Sequence, residues 1–294
     1  MCGDSMESVD IRLQKFMESN KNSIEAIGAQ NGKIKEILAI INNTKSNKQN
    51  FFVIDGIWAH EKALNNNLEV DSFVFCPEII TSHEAMNLIE SFFARAKKTY
   101  QVSLKTFMKI CEKDDPKGMI SICKFPLSNL EDIKLDKNNI IIVLDGLEIP
   151  GNVGTILRAC DGANIDAVFL CNRRARITHP KIIKGSMGAA FTKPIVEFSS
   201  VEECKKWLTK KNFKVYLTDT RATKTYFEAE YKGRVALIVG SERYGITKPW
   251  YEGDYEMIMI PMLGQCDSLN VAIATTIIAY EASLKQKGFI KGER

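Results

Sequence analysis

The chain has no apolar run approaching the ~20 residues that a membrane-spanning helix requires, so no membrane partner is expected. Its opening residues, MCGDSMESVDIRLQKF, lack the apolar core of a secretory signal, and a cytoplasmic location is expected. The eight cysteines (Cys2, Cys76, Cys111, Cys123, Cys160, Cys171, Cys204 and Cys266) form no CxxC pair. That removes the common zinc and dithiol spacings, and the thiols read as small buried hydrophobes in a reducing compartment. His60, His83 and His179 stand too far apart in sequence to suggest a cluster, so no metal is expected. His179, within THPKIIK, reads either as a surface or RNA contact or as a residue without a role. Neither a P-loop nor an HExxH occurs, nor any internal repeat or low-complexity tract. Strong charge of one sign is absent as well. Forty basic and 36 acidic residues leave a net charge of +4, which permits nucleic-acid binding without arguing for it.

Local charge says more. Lys45, Lys48, Lys97, Lys98, Arg173, Arg174, Arg176, Lys181 and Lys184 form short basic runs, each either a solvated face or part of an RNA-facing strip. At 294 residues the chain is long enough for two domains. Residues 1–30 read as an N-terminal helical extension. Residues 31–123 alternate apolar helical and strand patterns and describe a small α/β domain: Ile34–Ile41, Phe51–Ile54, Trp58–Leu64, Phe73–Cys76, Ala85–Ala96 and Ile120–Cys123. Residues 124–139 are polar, contain a proline and read as a linker.

From residue 140 to 294 the pattern changes. Ile140–Leu144, Ala167–Cys171, Val215–Thr218, Val235–Val239 and Met257–Ile260 are continuous apolar runs, the signature of parallel strands covered on both faces. Helices are expected at Val153–Gly162, Val201–Lys211 and Leu269–Lys287. Three of these strands run into polar, Gly-containing loops: LDGLEIPGNVGTILRACDGA (Leu144–Ala163), VALIVGSERYGIT (Val235–Thr247) and IPMLGQCDSLNVAIATTIIAYE (Ile260–Glu281). In open parallel sheets ligands bind beyond the carboxyl ends of the strands, so the three loops are expected to share one composite site. A dinucleotide site is not expected. Gly151–Gly154 lacks the GxGxxG spacing, and no acidic residue ends the next strand.

The order and wording of the three blocks resemble the three motifs of the SpoU/TrmH family of RNA ribose 2′-O-methyltransferases. The residues that carry the likeness are Asn152, Gly154 and Arg158, then Gly240, Ser241, Glu242 and Gly245, then Ile260, Pro261, Met262, Ser268, Leu269, Asn270 and Ala272. Within the family the chain looks most like the thiostrepton-resistance type of ribosomal RNA methyltransferase. Asn31–Lys35 and FFVIDGIWAHEKAL (Phe51–Leu64) resemble that type's ribosomal-protein-like RNA-binding domain.

The resemblance implies an α/β fold whose C-terminal parallel-sheet SPOUT domain carries a deep trefoil knot. It also implies S-adenosylmethionine as cofactor, a homodimer, and structured RNA as substrate, with ribosomal RNA favoured over transfer RNA. Arg158 would act on the 2′-oxygen, reaching back toward the loop, with Asn152 orienting it or the ribose. Glu242 would fix the arginine or receive a proton, or else cap a helix. Ser268 and Asn270 would align cofactor and arginine, Ser268 also capping a helix that starts at Leu269. Gly240, Ile260 and Leu269 would hold the cofactor through backbone groups, with Ile260, Met262 and Leu269 covering the adenine. Lys33, Lys35, Arg173, Arg174, Arg176 and Lys184 are the expected RNA contacts. Lys184 stands where the family type has an arginine, and lysine offers a phosphate a point charge instead of a planar fork. The alternative is a non-catalytic RNA-binding or scaffold protein on the same fold.

Overall fold

The computed structural model describes residues 8–44, 47, 49–111 and 115–290. Lys45 and Lys48 lie outside the described residues. The chain divides into two compact units, Met1–Phe125 and Pro126–Arg294.

The first unit runs α1 (Val9–Ser19), β1 (Ile24–Ala26), α2 (Gly32–Ile41), β2 (Phe51–Asp55), α3 (Ile57–Asn65), β3 (Val70–Phe75), α4 (His83–Arg95), β4 (Lys98–Gln101), α5 (Leu104–Ile110) and β5 (Met119–Lys124). Its five strands lie in the order β1-β4-β3-β5-β2, with β5 antiparallel to both neighbours. Period-two alternation sends Ile120 and Ile122 to one face, where they meet Ile34 and Ile37 of α2 and Phe107 and Ile110 of α5. Ser121 points the other way. It meets His60, whose ring is fully buried and bonded to Ser121 Oγ (3.0 Å) and Gly56 O (2.8 Å), so His60 belongs to the core.

The second unit runs β6 (Asn139–Asp145), α6 (Pro150–Gly162), β7 (Ala167–Cys171), α7 (Pro180–Ser186), α8 (Ala189–Thr192), β8 (Ile195–Glu197), α9 (Val201–Lys210), β9 (Lys214–Thr218), β10 (Lys224–Thr225), β11 (Arg234–Gly240), β12 (Glu256–Met259) and α10 (Val271–Gln286). Its seven strands are all parallel, in the order β10-β12-β9-β11-β6-β7-β8. Every residue of β6 is buried, as expected of an apolar run covered on both faces. On one side α9 seats Cys204 and Leu208 against Val143, Phe169 and Trp250. Helices α6 and α10 pack against each other and are tied by Ser283 Oγ donating to Ala163 O at 2.6 Å. Within residues 126–139, Ile133 is buried, and Leu130 and Leu135 pack against this unit's core.

In the second unit two helix starts differ from expectation. Helix α6 begins at Pro150 instead of Val153, because proline's fixed φ and missing N–H suit a first helical position. Helix α10 begins at Val271 instead of Leu269. Its cap is Asn270, whose Oδ1 accepts from Ala272 N (2.9 Å) and Ile273 N (3.4 Å), and Ser268 stays in the preceding loop.

Candidate functional site

Parallel strands deliver their carboxyl ends to one edge of the sheet. The loops after β9, β11 and β12 and the start of α6 surround a cleft of about 750 Å³. Asn152, Gly240, Glu242, Ile260, Met262, Ser268, Leu269 and Asn270 all line it. Arg158 does not.

At the mouth of the cleft three side chains form one polar chain. The Asn270 carbonyl oxygen is committed to the backbone of α10, which leaves its Nδ2 to donate to Asn152 Oδ1 at 3.2 Å. With that oxygen used, the Asn152 amide donates through Nδ2 to Glu242 Oε1. The capping bond thus fixes both amide orientations, and Glu242 ends the chain as an acceptor with its second oxygen open. Glu242 lies 90 positions and Asn270 118 positions along the chain from Asn152, so three separate segments meet here. Glu242 caps no helix. It sits in a turn closed by Ser241 N to Gly245 O (3.0 Å) and Gly245 N to Ser241 O (2.9 Å).

Gly240 is required by that turn. A Cβ placed there would lie 2.1 Å from the Gly245 carbonyl carbon. Part of the cleft wall behind it is apolar, formed by Ile246, Ile258, Ile260, Leu269, Ala274 and Ile278.

The far end of the cleft carries a group that sequence reasoning passed over. Asp219, just after β9, accepts from Arg221 Nε (3.0 Å), Arg221 Nη2 (2.7 Å), Arg221 N (2.9 Å) and Tyr251 Oη. The Arg221 guanidinium stacks 5.3 Å from the Tyr251 ring centre. Arg221 holds the Asp219 carboxyl well below the usual carboxylate range, with help from Tyr251. Burial, and then the bond to Asp219, pushes the Tyr251 hydroxyl up to about 12. The signal was available, because Asp219 follows a parallel strand as the other loops do. The loop has no glycine to draw attention to it.

Because the Asp219 pKa is depressed on folding, its stabilising contribution is present above the unfolded value and is lost as pH falls through the folded one. Asp219→Asn is expected to cost about 2 kcal/mol at neutral pH and to narrow its gap to the parent below about pH 4. Thermal melts from pH 7 to pH 3 measure this; a gap constant across that range would contradict the assignment.

The basic residues fall into distinct environments. Arg158 is exposed on α6. Six residues of helix place it about 120° around the axis from Asn152, so it does not reach back into its own cleft. Helix α7 lies directly on α6, since a Cβ at Gly154 would be 2.9 Å from Ile182 O. That contact holds exposed Lys181 and Lys184 beside α6. His179 caps α7, its Nδ1 accepting from Lys181 N at 3.1 Å, and burial together with Lys181 and Arg176 keeps its pKa low. Arg173 is tied to Glu197 (2.6 Å) and Ala175 O (3.2 Å). Arg174 is exposed and Arg176 is half-buried. In the first unit Lys33 is paired with Glu36 (2.7 Å) and Asp71 (3.3 Å), while Lys35 is exposed. Among the described residues no cysteine is in a disulfide, no group of three or more His, Cys, Asp or Glu is placed to hold a metal, and no helix is long and apolar enough to cross a membrane.

Comparison with known proteins agrees with this architecture. Residues 139–280 match the SpoU rRNA Methylase family, and residues 31–121 match the MRM3-like substrate binding domain. A 23S rRNA (guanosine(2553)-2′-O)-methyltransferase of Bacillus subtilis is 29% identical over 255 residues, 86% of this chain and 96% of that protein. A 23S rRNA (guanosine-2′-O-)-methyltransferase of Salmonella typhimurium is 29% identical over 78% of this chain and 97% of its own length. Among solved structures, an AdoMet-bound rRNA methyltransferase from Sinorhizobium meliloti superposes with a TM-score of 0.79 at 25% identity, over 88% of this chain and 97% of that one. The ordered loops, the parallel sheet and these likenesses agree, and residues 139–280 are similar throughout to the SpoU rRNA Methylase family.

Proposed function

We propose that this chain transfers a methyl group from S-adenosylmethionine to a ribose 2′-oxygen in structured RNA, with ribosomal RNA as the substrate class. The observation that carries this reading is the Asn270–Asn152–Glu242 chain beside a cleft with one apolar wall. The cleft suits the cofactor's chemistry, with an apolar wall for an adenine and a carboxylate near a cationic sulfur. When bound, that cofactor supplies an electrophilic methyl group. The protein's own work is positioning. Backbone groups around Gly240, Ile260 and Leu269 would hold the adenine, and the turn through Ser241 and Gly245 shapes the rim. Asn152, held by Asn270, orients the ribose, and the open oxygen of Glu242 receives the hydroxyl proton directly or through water. A guanidinium stays charged, so Arg158 acts by stabilising the developing alkoxide and gripping the adjacent phosphate. Through the second and third blocks the chain is threaded as the trefoil knot that the family resemblance implies. Residues 31–123 read the RNA, Lys35 offering an exposed charge there and Arg174, Lys181 and Lys184 in the second unit. The setting is the cytosol, in keeping with thiols that form no disulfide among the described residues.

Because Arg158 lies outside its own cleft, the working site is built from two copies. Ile273 and Tyr280, seven residues apart on α10, are 50% and 40% exposed and form an outward apolar stripe. A Cβ on Gly162 of α6 would fall 2.5 Å from the Tyr280 hydroxyl, so Tyr280 lies over Gly162, one turn beyond Arg158. A second copy seated on this stripe would bring its Arg158 to the neighbouring cleft. The chain is expected to sediment as a dimer, and Ile273→Glu with Tyr280→Glu to sediment as a folded monomer. A parent chain that is monomeric at micromolar concentration would refute the dimer.

The overall test is twofold. Calorimetry should show stoichiometric S-adenosylmethionine binding. Mapping of ribosomal RNA 2′-O-methylation with and without the gene should show one lost mark. Absence of both would favour a non-catalytic RNA-binding role.

A further inference from the structure

A second cavity, of about 510 Å³, lies against the same turn that rims the cofactor cleft. Ser241, Tyr244 and Gly245 line both spaces and form their common wall. The loop into α6 is divided between them. Gly146 and Glu148 line the second cavity, while Ile149 and Asn152 line the cleft.

The second cavity has a built floor. Asp145 is fully buried, and its carboxylate accepts from Asn172 Nδ2 and from Thr247 N, each at 2.7 Å. Among the described residues Arg174 is the only cation that lines the cavity, and Glu148 and Glu202 are exposed carboxylates on it. Tyr244 is 68% exposed, with the Arg243 guanidinium 5.2 Å from its ring centre.

Building on the methyl-transfer role above, we propose that this cavity receives the base of the methylated nucleotide, and that its lining selects guanine. The 2′-oxygen and the glycosidic bond sit on adjacent ribose carbons. A ribose whose 2′-oxygen is held at Asn152 and Glu242 must therefore lodge its base close to that site, and the second cavity begins on the other side of the shared turn. Enzymes that act on nucleotides in folded RNA take them from splayed or unstacked positions and stack the base on aromatic side chains. Tyr244 is the aromatic group of the shared wall. Ionised carboxylates only accept hydrogen bonds. Guanine presents two adjacent donors, N1–H and the N2 amino group, which match a carboxylate. Uracil presents a single donor between two acceptors. Adenine and cytosine set their amino group beside an acceptor that a carboxylate repels. Arg174 offsets the negative charge of the cavity and lets a phosphodiester approach.

Two measurements test this. The first titrates guanosine 5′-monophosphate and uridine 5′-monophosphate into the full chain saturated with S-adenosylhomocysteine, followed by NMR. Guanosine 5′-monophosphate is expected to bind at least about tenfold tighter, the scale of one hydrogen bond to a charged group. The double variant Glu148→Gln/Glu202→Gln should erase that preference. The second measures methyl transfer to total ribosomal RNA from cells lacking the gene. The mark should fall on a guanosine. Arg174→Ala should raise KM for RNA about tenfold, with kcat and S-adenosylmethionine affinity unchanged. Equal binding of the two nucleotides, a mark on any other nucleotide, or unchanged KM in Arg174→Ala would overturn the base pocket while leaving methyl transfer intact. Absence of transfer to any RNA would instead overturn the methyl-transfer role, and the base pocket with it.

Discussion

Replacing Arg158 by alanine is expected to lower the methyl-transfer rate about 100- to 1,000-fold, the usual cost of removing one preorganised donor from a developing oxyanion. The affinity for S-adenosylmethionine should change little, because Arg158 does not line the cleft of its own chain. Arg158→Lys should remain poor, since an ammonium cannot grip a phosphate as a planar fork does. The two-copy site proposed above adds a sharper test. Glu242→Ala is expected to be inactive as well, because it removes the carboxylate that ends the Asn270–Asn152 chain. Co-assembling the two inactive variants should restore activity. Each heterodimer then holds one intact cleft faced by one intact arginine, and random assembly of a two-fold dimer yields about a quarter of the parental activity. If Arg158 served its own cleft, both sites of the heterodimer would lack an essential group and the mixture would stay silent. Activity above half of the parent in Arg158→Ala alone would remove the residue from the mechanism.

Gly240→Ala is expected to weaken S-adenosylmethionine binding at least about 100-fold, corresponding to a strain near 3 kcal/mol. The added methyl would sit 2.1 Å from the Gly245 carbonyl carbon and 2.2 Å from Ile246 N. Backbone cannot rotate away as a side chain can, so the turn must open, and with it the rim that Ser241 and Gly245 hold closed. Gly245 is the control. It sits at φ +68°, but a Cβ there would meet nothing within 4 Å. Gly245→Ala should therefore cost only the left-handed backbone penalty of about 1–2 kcal/mol. Calorimetry on both variants should rank Gly240→Ala as the more damaging. The opposite ranking would show that steric closure of the turn is not what shapes the cleft.

Much of the second unit is legible from the chain because a covered parallel strand has to be apolar throughout. Residues 140–144 are IIIVL and fall within β6, and Ala167–Cys171 is β7 to the residue. The short strands were not legible. Ile24–Ala26, Lys98–Gln101, Ile195–Glu197 and Lys224–Thr225 have four residues or fewer, too few for a period to show. Their strand state comes from the partner beside them. Helices α7 and α8 were missed for a related reason. They are short, and α7 is held in place by the close backbone approach at Gly154.

The site divides the same way. Sequence alone determined that three Gly-containing loops follow apolar parallel strands, and the resemblance to the SpoU/TrmH motifs singled out Asn152, Gly240, Glu242 and Asn270 within them. The loops are local properties, since strand burial, loop composition and residue type are all written along the chain. Only the tertiary structure decided which atoms meet. The Asn270 cap sets the Asn152 amide, and that amide finds Glu242 across 90 residues. Asp219 gathers Arg221 and Tyr251 at the far end of the cleft, a constellation with no sequence spacing to announce it. Helix phase turned Arg158 away from its own cleft, and the fold of one turn made a second cavity behind the first. Hydrogen bonds and steric contacts act over a few ångströms, and the chain brings distant residues within that range only by folding.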